Sequence, residues 1–449
     1  MRDDLDLQAL TAALLDAARA AGADQADALA VGGSSLSVEV RGGRLEHAER
    51  ADGTELGLRV LIGGRQACVA ASNLSPETMR EMAERAVAMA REAPVDDALA
   101  LADPAQLAPR YDGGLQLAED TAPPAPASLQ DAALRAEAAA LAVTGVSMID
   151  SAGAAFARRG LFLATSNGFA AGYERTSHSV SAVAITGEGT AMERDWAGES
   201  RVWAADMPAP EEIGRLAGER TAARAGARKP PTGAVPVLFD QRVAGGLIGH
   251  LLSAVNGSAV ARGASWLRDA LDTQVLPAGF DLIEDPLMPR FGASRPFDAE
   301  GLPTAERAIV RDGVLQGWTL DIATANKLGL QSTANAVRGA SSPPSPGVSN
   351  VRLSPGAISR DQMLRDMGRG LVVTSFLGSS INATTGDYSR GAAGFWVEGG
   401  EIAYAVNECT IAGNLRDMLL RLTAADDLPE WRSHAVPSLL VEGMTLAGS

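Results

Sequence analysis

The chain has 449 residues, 39 basic and 55 acidic side chains, a formal net charge of −16 and 46% hydrophobic residues. That length points to several domains with proper cores, and the acidic balance repels nucleic acid and anionic membrane, so neither is expected as a direct partner. The opening MRDDLDLQAL lacks the apolar segment of a signal peptide, no run of about 18 apolar residues offers a membrane span, and a cytoplasmic location is expected.

Leu7, Leu10, Leu14 and Ala18 keep helical spacing until Gly22 stops the run. Leu36, Val38 and Val40 then alternate with polar residues, Gly42-Gly43 turns the chain, and Leu56, Leu58, Val60 and Ile62 alternate again. A second turn at Gly63-Gly64 leads into a strand through Cys68. Ser75 caps a helix with Pro76 at its first position, and Met79, Met82, Ala86 and Met89 mark its buried face. Residues 1–95 therefore read as an N-terminal α+β domain. Residues 96–128, rich in Ala, Pro, Asp and Gly, read as a linker whose stiffest part is TAPPAPAS.

A central β-rich domain is expected over 129–228. Its helix at 129–141 precedes strand patterns at 146–150, 152–166, 172–186 and 189–197, with Asn167-Gly168 as the strongest hairpin signal, and a helix at 210–226 closes it. The boundary KPPTG opens a C-terminal domain over 233–449. There Val237, Leu238 and Phe239 form a buried strand, Asp240 a turn, and a long helix running toward Leu267 carries His250. Strands follow at 281–291, 308–310 and 314–319, helices at 321–328, 359–367 and 415–422, and further strands at 371–377, 394–398, 402–407 and 438–441. The Pro/Ser segment at 340–350 cannot enter a central strand. The expected fold class is α+β, with an N-terminal α+β region in two parts and a large β-rich C-terminal domain with one long internal helix.

The chemistry of that helix is defined by what it lacks. Val243, Leu247, Leu251 and Ala254 place His250 on the packed face. A zinc-peptidase helix needs a Glu beside its first His and a second His four or five residues on. Here those positions hold Leu251, Ala254 and Val255, and the other histidines, His47, His178 and His434, stand at no metal-motif spacing. No GxxxxGK[ST] or strand-following GxGxxG occurs, and Gly378-Ser379-Ser380 does not fit GxSxG. Cys68 and Cys409 read as two reduced, buried thiols rather than a disulfide framework. The loop at 385–391 combines Asp387, Tyr388 and Arg390. It reads either as the lining of a peptide groove, where Tyr and Arg anchor contacts, or as a turn closed by Asp387 and paired to Arg390. The segment at 192–196, MERDW, is open in the same way. The Gly/Ala-rich stretch 245–261, which carries Asn256 and Ser258, suits an interface as readily as a core. His250, Asn256, Ser258, Asp387, Tyr388 and Arg390 are thus the candidate groove or interface residues, and no catalytic or metal-binding residue is nominated.

PVLFDQRVAGGLIGHLLSAVNGSAVARG, SSPPSPGVSN, TTGDYSRGAAGFWVEGGEIAYAVNECTIAGNLRDM and VPSLLVEGMTLAG, together with LGLRVLIGGRQACVAASN near the N-terminus, resemble the TldE (PmbA) branch of the TldD/TldE proteins. The resemblance spans nearly the whole chain. It implies a heterodimer in which a TldD-like subunit carries an HExxxH zinc helix, and which acts on unfolded peptides, on bacteriocin precursors and on an antitoxin linked to DNA gyrase. Aligned on strand and helix, His250 falls near the first metal His, Leu251 near the Glu and Val255 near the second His. The implied role is a non-catalytic subunit without a cofactor of its own, the zinc residing in the partner. An autonomous peptidase using His250 or Cys409 and a peptide-binding scaffold without a protease partner are the alternatives, and whether the chain also forms a homodimer is left open by the sequence.

Overall fold

The computed structural model describes residues 6–111 and 113–448. Its N-terminal half is built on strands β1 (Gln25–Arg41), β2 (Arg44–Ile62), β3 (Arg65–Ala71), β4 (Val146–Thr165), β5 (Ala170–Thr186) and β6 (Glu193–Arg201). They form one antiparallel sheet in the order β3-β2-β1-β4-β5-β6. The two α+β parts anticipated from sequence therefore share a sheet. β1 joins them, pairing with β4 from Asp27↔Thr165 to Val40↔Ala152.

Alternation along β1 decides what each face meets. Ala26, Ala28 and Ala30 lie under helices α1 (Leu7–Ala21) and α2 (Pro76–Glu92), which contribute Leu14, Met82 and Ala86. Val38 and Val40 lie under α3 (Pro126–Leu141) and α4 (Pro210–Ala222), with Ala133, Ala136 and Ala217. The small residues of the sheet let the helices approach closely. Odd-numbered Asp27 and Leu29 point to the opposite face, where Leu29, Leu163 and Phe169 pack against Phe297 of the C-terminal half. α3 starts at Pro126, inside the expected linker, because proline suits the first helical position. The preceding segment is tied to both halves: Thr176 donates its amide to Leu117 at 3.0 Å, Arg290 to Leu115 at 2.9 Å, and Asn326 Nδ2 to Ala98 at 2.9 Å.

The C-terminal half contains β7 (Gly233–Phe239), α5 (Gln241–Ala254), α6 (Gly257–Ala261), β8 (Leu282–Glu284), β9 (Arg307–Arg311), β10 (Val314–Leu315), α7 (Ile322–Leu328), β11 (Ala336–Val337), β12 (Ser345–Pro346) and β13 (Val351–Leu353). It continues with α8 (Arg360–Met367), β14 (Gly370–Ile381), β15 (Asp387–Glu398), β16 (Glu401–Asn414), α9 (Leu415–Leu420), β17 (Leu422–Ala424), β18 (His434–Ala435) and β19 (Leu439–Ala447). Strands β16-β15-β14-β7-β19 pair in that order and β19 pairs back to β16, closing a ring that removes the long open edges of a flat sheet. α5 packs on the face of β7 that carries Val237 and Phe239, while Leu238 faces α8 through Met363 and Leu364. β8, β9, β10, β13 and β18 form a smaller second sheet.

The strand expected at 281–291 is only the three residues of β8. The long internal helix is in fact two. α5 ends at Ala254, and Asn256 then caps α6 by accepting the Ser258 amide at 3.0 Å.

Candidate functional site

α5 begins at Asp240, whose carboxylate accepts the Arg242 amide, and its buried stripe is Ala244, Leu247, Ile248, Leu251 and Leu252. His250 sits at the margin of that stripe and is half-buried, as is Val243. Leu251 and Val255 are both 0% exposed. Across from His250, β15 presents Tyr388 and Arg390 on one face, as residues two apart on a strand must. The His250 and Tyr388 rings meet edge to face with centroids 5.8 Å apart. The Arg390 guanidinium lies 4.1 Å over the Phe376 ring, and its Nε donates to the Gly378 carbonyl at 3.2 Å. The Arg390 charge also acts on the Tyr388 hydroxyl, favouring its ionised form, though less strongly than burial opposes it.

Electrostatics in this corner follow from burial and one cation. Burial, then the charge of Arg390, pushes the His250 pKa below its ordinary value, so the ring is neutral near pH 7. Burial raises the Tyr388 phenol well above its usual range. The His250 Nε2 is buried without a hydrogen-bond partner. Cys409, on β16, is buried and donates to the Ala392 carbonyl at 3.2 Å. Burial pushes its thiol up to about 11, far from a reactive thiolate. A zinc ion does not fit these residues. The groups facing His250 are a phenol and a guanidinium, its helical neighbours are core hydrocarbon, and a cation beside Arg390 would be repelled. Among the described residues no group of three His, Cys, Asp or Glu side chains is placed to hold a metal.

The six candidates do not converge. His250, Tyr388 and Arg390 share one corner. Asp387 points to the other face of β15, where it accepts from Thr385 Oγ1 at 2.6 Å and Asn414 Nδ2 at 3.1 Å, so the anticipated Asp387–Arg390 pair does not form. Asn256 is occupied structurally, its Nδ2 donating to the Pro346 carbonyl at 2.8 Å while its Oδ1 caps α6. Ser258 belongs to that cap. In the 192–196 segment, Glu193 and Asp195 turn inward to Arg224, and Asp195 also meets Arg242, which leaves Trp196 exposed.

A second polar assembly was not anticipated. Between the N-terminal sheet and the C-terminal half, Asp27 accepts from Arg59 Nε at 2.5 Å and pairs with Arg338, and all three side chains are buried. Nearby, Asp298 accepts the amides of Glu300, Leu302 and Ala336, and Glu300 accepts the Ile322 amide at 2.8 Å. Charged residues inside the apolar strings QADALAV and LGLRVLI were the available signal, since a charge in a buried strand needs a partner.

Comparison with known proteins now places the chain. The models of PmbA/TldA metallopeptidase domain 1, the central domain and the C-terminal domain match residues 26–90, 119–225 and 232–448. Metalloprotease PmbA of Escherichia coli O157:H7 is 37% identical over 417 residues, covering 92% of this chain and 90% of that protein. The chain belongs to the PmbA/TldD metallopeptidase family. Within it, the chain falls in the PmbA/TldE branch. A PmbA homologue of Haemophilus influenzae is 35% identical, covering 93% of this chain and 90% of its own length. A Bacteroides thetaiotaomicron structure, described as a candidate modulator of DNA gyrase, superposes with a TM-score of 0.89 at 27% identity, covering 99% and 100% of the two chains. TldE from Thermococcus kodakarensis, at 19% identity, shares the fold with a TM-score of 0.83 over 97% and 99%. Among the described residues no helix is long and apolar enough to cross a membrane.

Proposed function

We propose that this PmbA/TldE-branch chain is the non-catalytic subunit of a two-chain zinc metalloprotease, pairing with a TldD-like subunit that carries the HExxxH helix and acting on unfolded peptides. Bacteriocin precursors and an antitoxin are the substrates this reading points to. One observation carries it: the positions beside and five residues beyond His250 are Leu251 and Val255, both sealed in the core. Neither can activate water or ligate a metal. The buried, high-pKa Cys409 and the metal-repelling Arg390 weigh against an independent site in the same corner.

A role in holding peptide is supported by the strand next to His250. β7 pairs with β14 only through Leu371–Val373, whereas β15 pairs with β14 as far as Ile381. Past Val373, β14 therefore has a side that pairs with neither β7 nor β15. It is bordered by α5 and by Arg224, which donates to Ser375 Oγ at 3.2 Å, and there an extended chain can add main-chain hydrogen bonds irrespective of sequence. The test is zinc content and unfolded-peptide hydrolysis of the purified chain, alone and mixed with a TldD-type subunit. Zinc and cleavage in the mixture only are the expected result. Cleavage by the lone chain, lost on changing His250, would establish the autonomous peptidase instead.

A further inference from the structure

We infer that Arg390, flanked by His250 and Tyr388, receives the C-terminal carboxylate of a peptide laid along the strand-free side of β14. This rests on the peptide-holding role proposed above and names what that site selects.

The first ground is the cation. Arg242 and Arg360, elsewhere in the same half, pair with Asp195 and Asp240. No ion pair among the described residues includes Arg390, although the residue is only half exposed, its face resting on Phe376 and its Nε on the Gly378 carbonyl. The second is the chemistry of its neighbours. His250 Nε2 is buried and unpartnered, and Tyr388 keeps its phenolic proton. The corner thus offers one positive charge with no anion beside it, bordered by an unpartnered imidazole nitrogen and a phenol. A planar carboxylate satisfies such a group better than any neutral acceptor, because guanidinium donors match it in pairs.

The third ground is where the ladder stops. Pairing of β14 with β15 slips between Leu377↔Gly391 and Ser380↔Ser389, so β14 holds one extra residue there. Gly378 takes up the bend with a φ of 64°, a conformation that suits glycine. Its carbonyl is turned to Arg390 and is lost to an added strand. A peptide pairing with the Ser375–Leu377 stretch runs out of partners at Gly378, and a chain that ends there has its terminal carboxylate at Arg390. The exposed Leu377 offers apolar surface to its last side chains.

The experiment measures binding of the full chain to an N-terminally fluorescein-labelled unfolded peptide without acidic side chains, as the free acid and as the C-terminal amide. A third peptide is amidated but carries one internal Glu. The free acid is expected to bind at least tenfold more tightly than either amide, and Arg390→Gln to remove the difference between acid and amide. Arg390→Lys should restore part of it, since it returns the charge without the paired donors. Equal binding of acid and amide overturns the inference and leaves the holding role standing. Equal binding of the internal-Glu amide and the free acid overturns the chain-end assignment. Binding of none of the three overturns the holding role and the inference together. The comparison of peptides on the unaltered chain decides the matter even if the Arg390 variants fail to fold.

Discussion

At the scale of single residues, the contrast between His250 and its helical neighbours carries most of the functional argument. His250 reaches the margin of the core, while Leu251 and Val255 are wholly inside it. Writing a family-type HExxxH into this helix with Leu251→Glu and Val255→His therefore places a carboxyl and an imidazole against hydrocarbon. A buried polar group without a partner costs about 3 kcal/mol or more, and the glutamic acid would stay protonated rather than serve as a base. The double variant is expected to lose at least that much stability in chemical unfolding and to retain no stoichiometric zinc after dialysis. Stoichiometric zinc in a stably folded double variant would mean that Tyr388 and Arg390 can be displaced from the corner, and the argument against a metal site would fail.

At the scale of elements, the close approach of α3 and α4 makes a sharp prediction. A Cβ at Gly214 would lie 2.0 Å from the Ala136 carbonyl oxygen, so Gly214→Ala must push the two helices apart. The expected loss is about 1–3 kcal/mol. Gly246→Ala, on an α5 position with nothing within 4 Å, should instead gain about 0.5–1 kcal/mol from helix propensity. Local signals made several such elements legible from sequence: Ser75 and Pro76 start α2, and Gly168 turns β4 into β5. What sequence could not show depends on partners far away in the chain. β1 pairs with β4 across the whole intervening α2 and linker, and the ring closes only through β16 with β19. The break after Ala254 was hidden because apolar periodicity continues through Val255, and only the Asn256 cap marks it. The same limit applies at the site. Tyr388 and Arg390 were recognisable as neighbours on one strand face, but their meeting with His250, and the separation of Asp387 from Arg390, are products of tertiary packing.

At the scale of the whole molecule, the seam between the N-terminal sheet and the C-terminal half is where pH should act on stability. Glu300 is buried beside Asp298, with Asp321 also near and Arg59 as the compensating cation. Burial, then the charge of Asp298, pushes its pKa up to about 8, while Asp298 is itself shifted upward by burial. In the unfolded chain Glu300 titrates near the ordinary glutamate value of 4.5. Between those two values the folded state holds a proton that the unfolded state has released, so stability falls as pH rises, by up to about 1.4 kcal/mol per pH unit for one group. The contribution is fully present below the unfolded pKa and is lost as pH climbs through the folded one. Glu300→Gln keeps an acceptor for the Ile322 amide and carries no charge to bury. Chemical unfolding of parent and variant across this range should show near-equal stability at acidic pH and a growing advantage for the variant toward about pH 8. A variant less stable than the parent at that pH would show that Arg59 holds Glu300 ionised. The Asp27–Arg59–Arg338 cluster would then extend to Glu300 as one network of opposite charges joining the two halves.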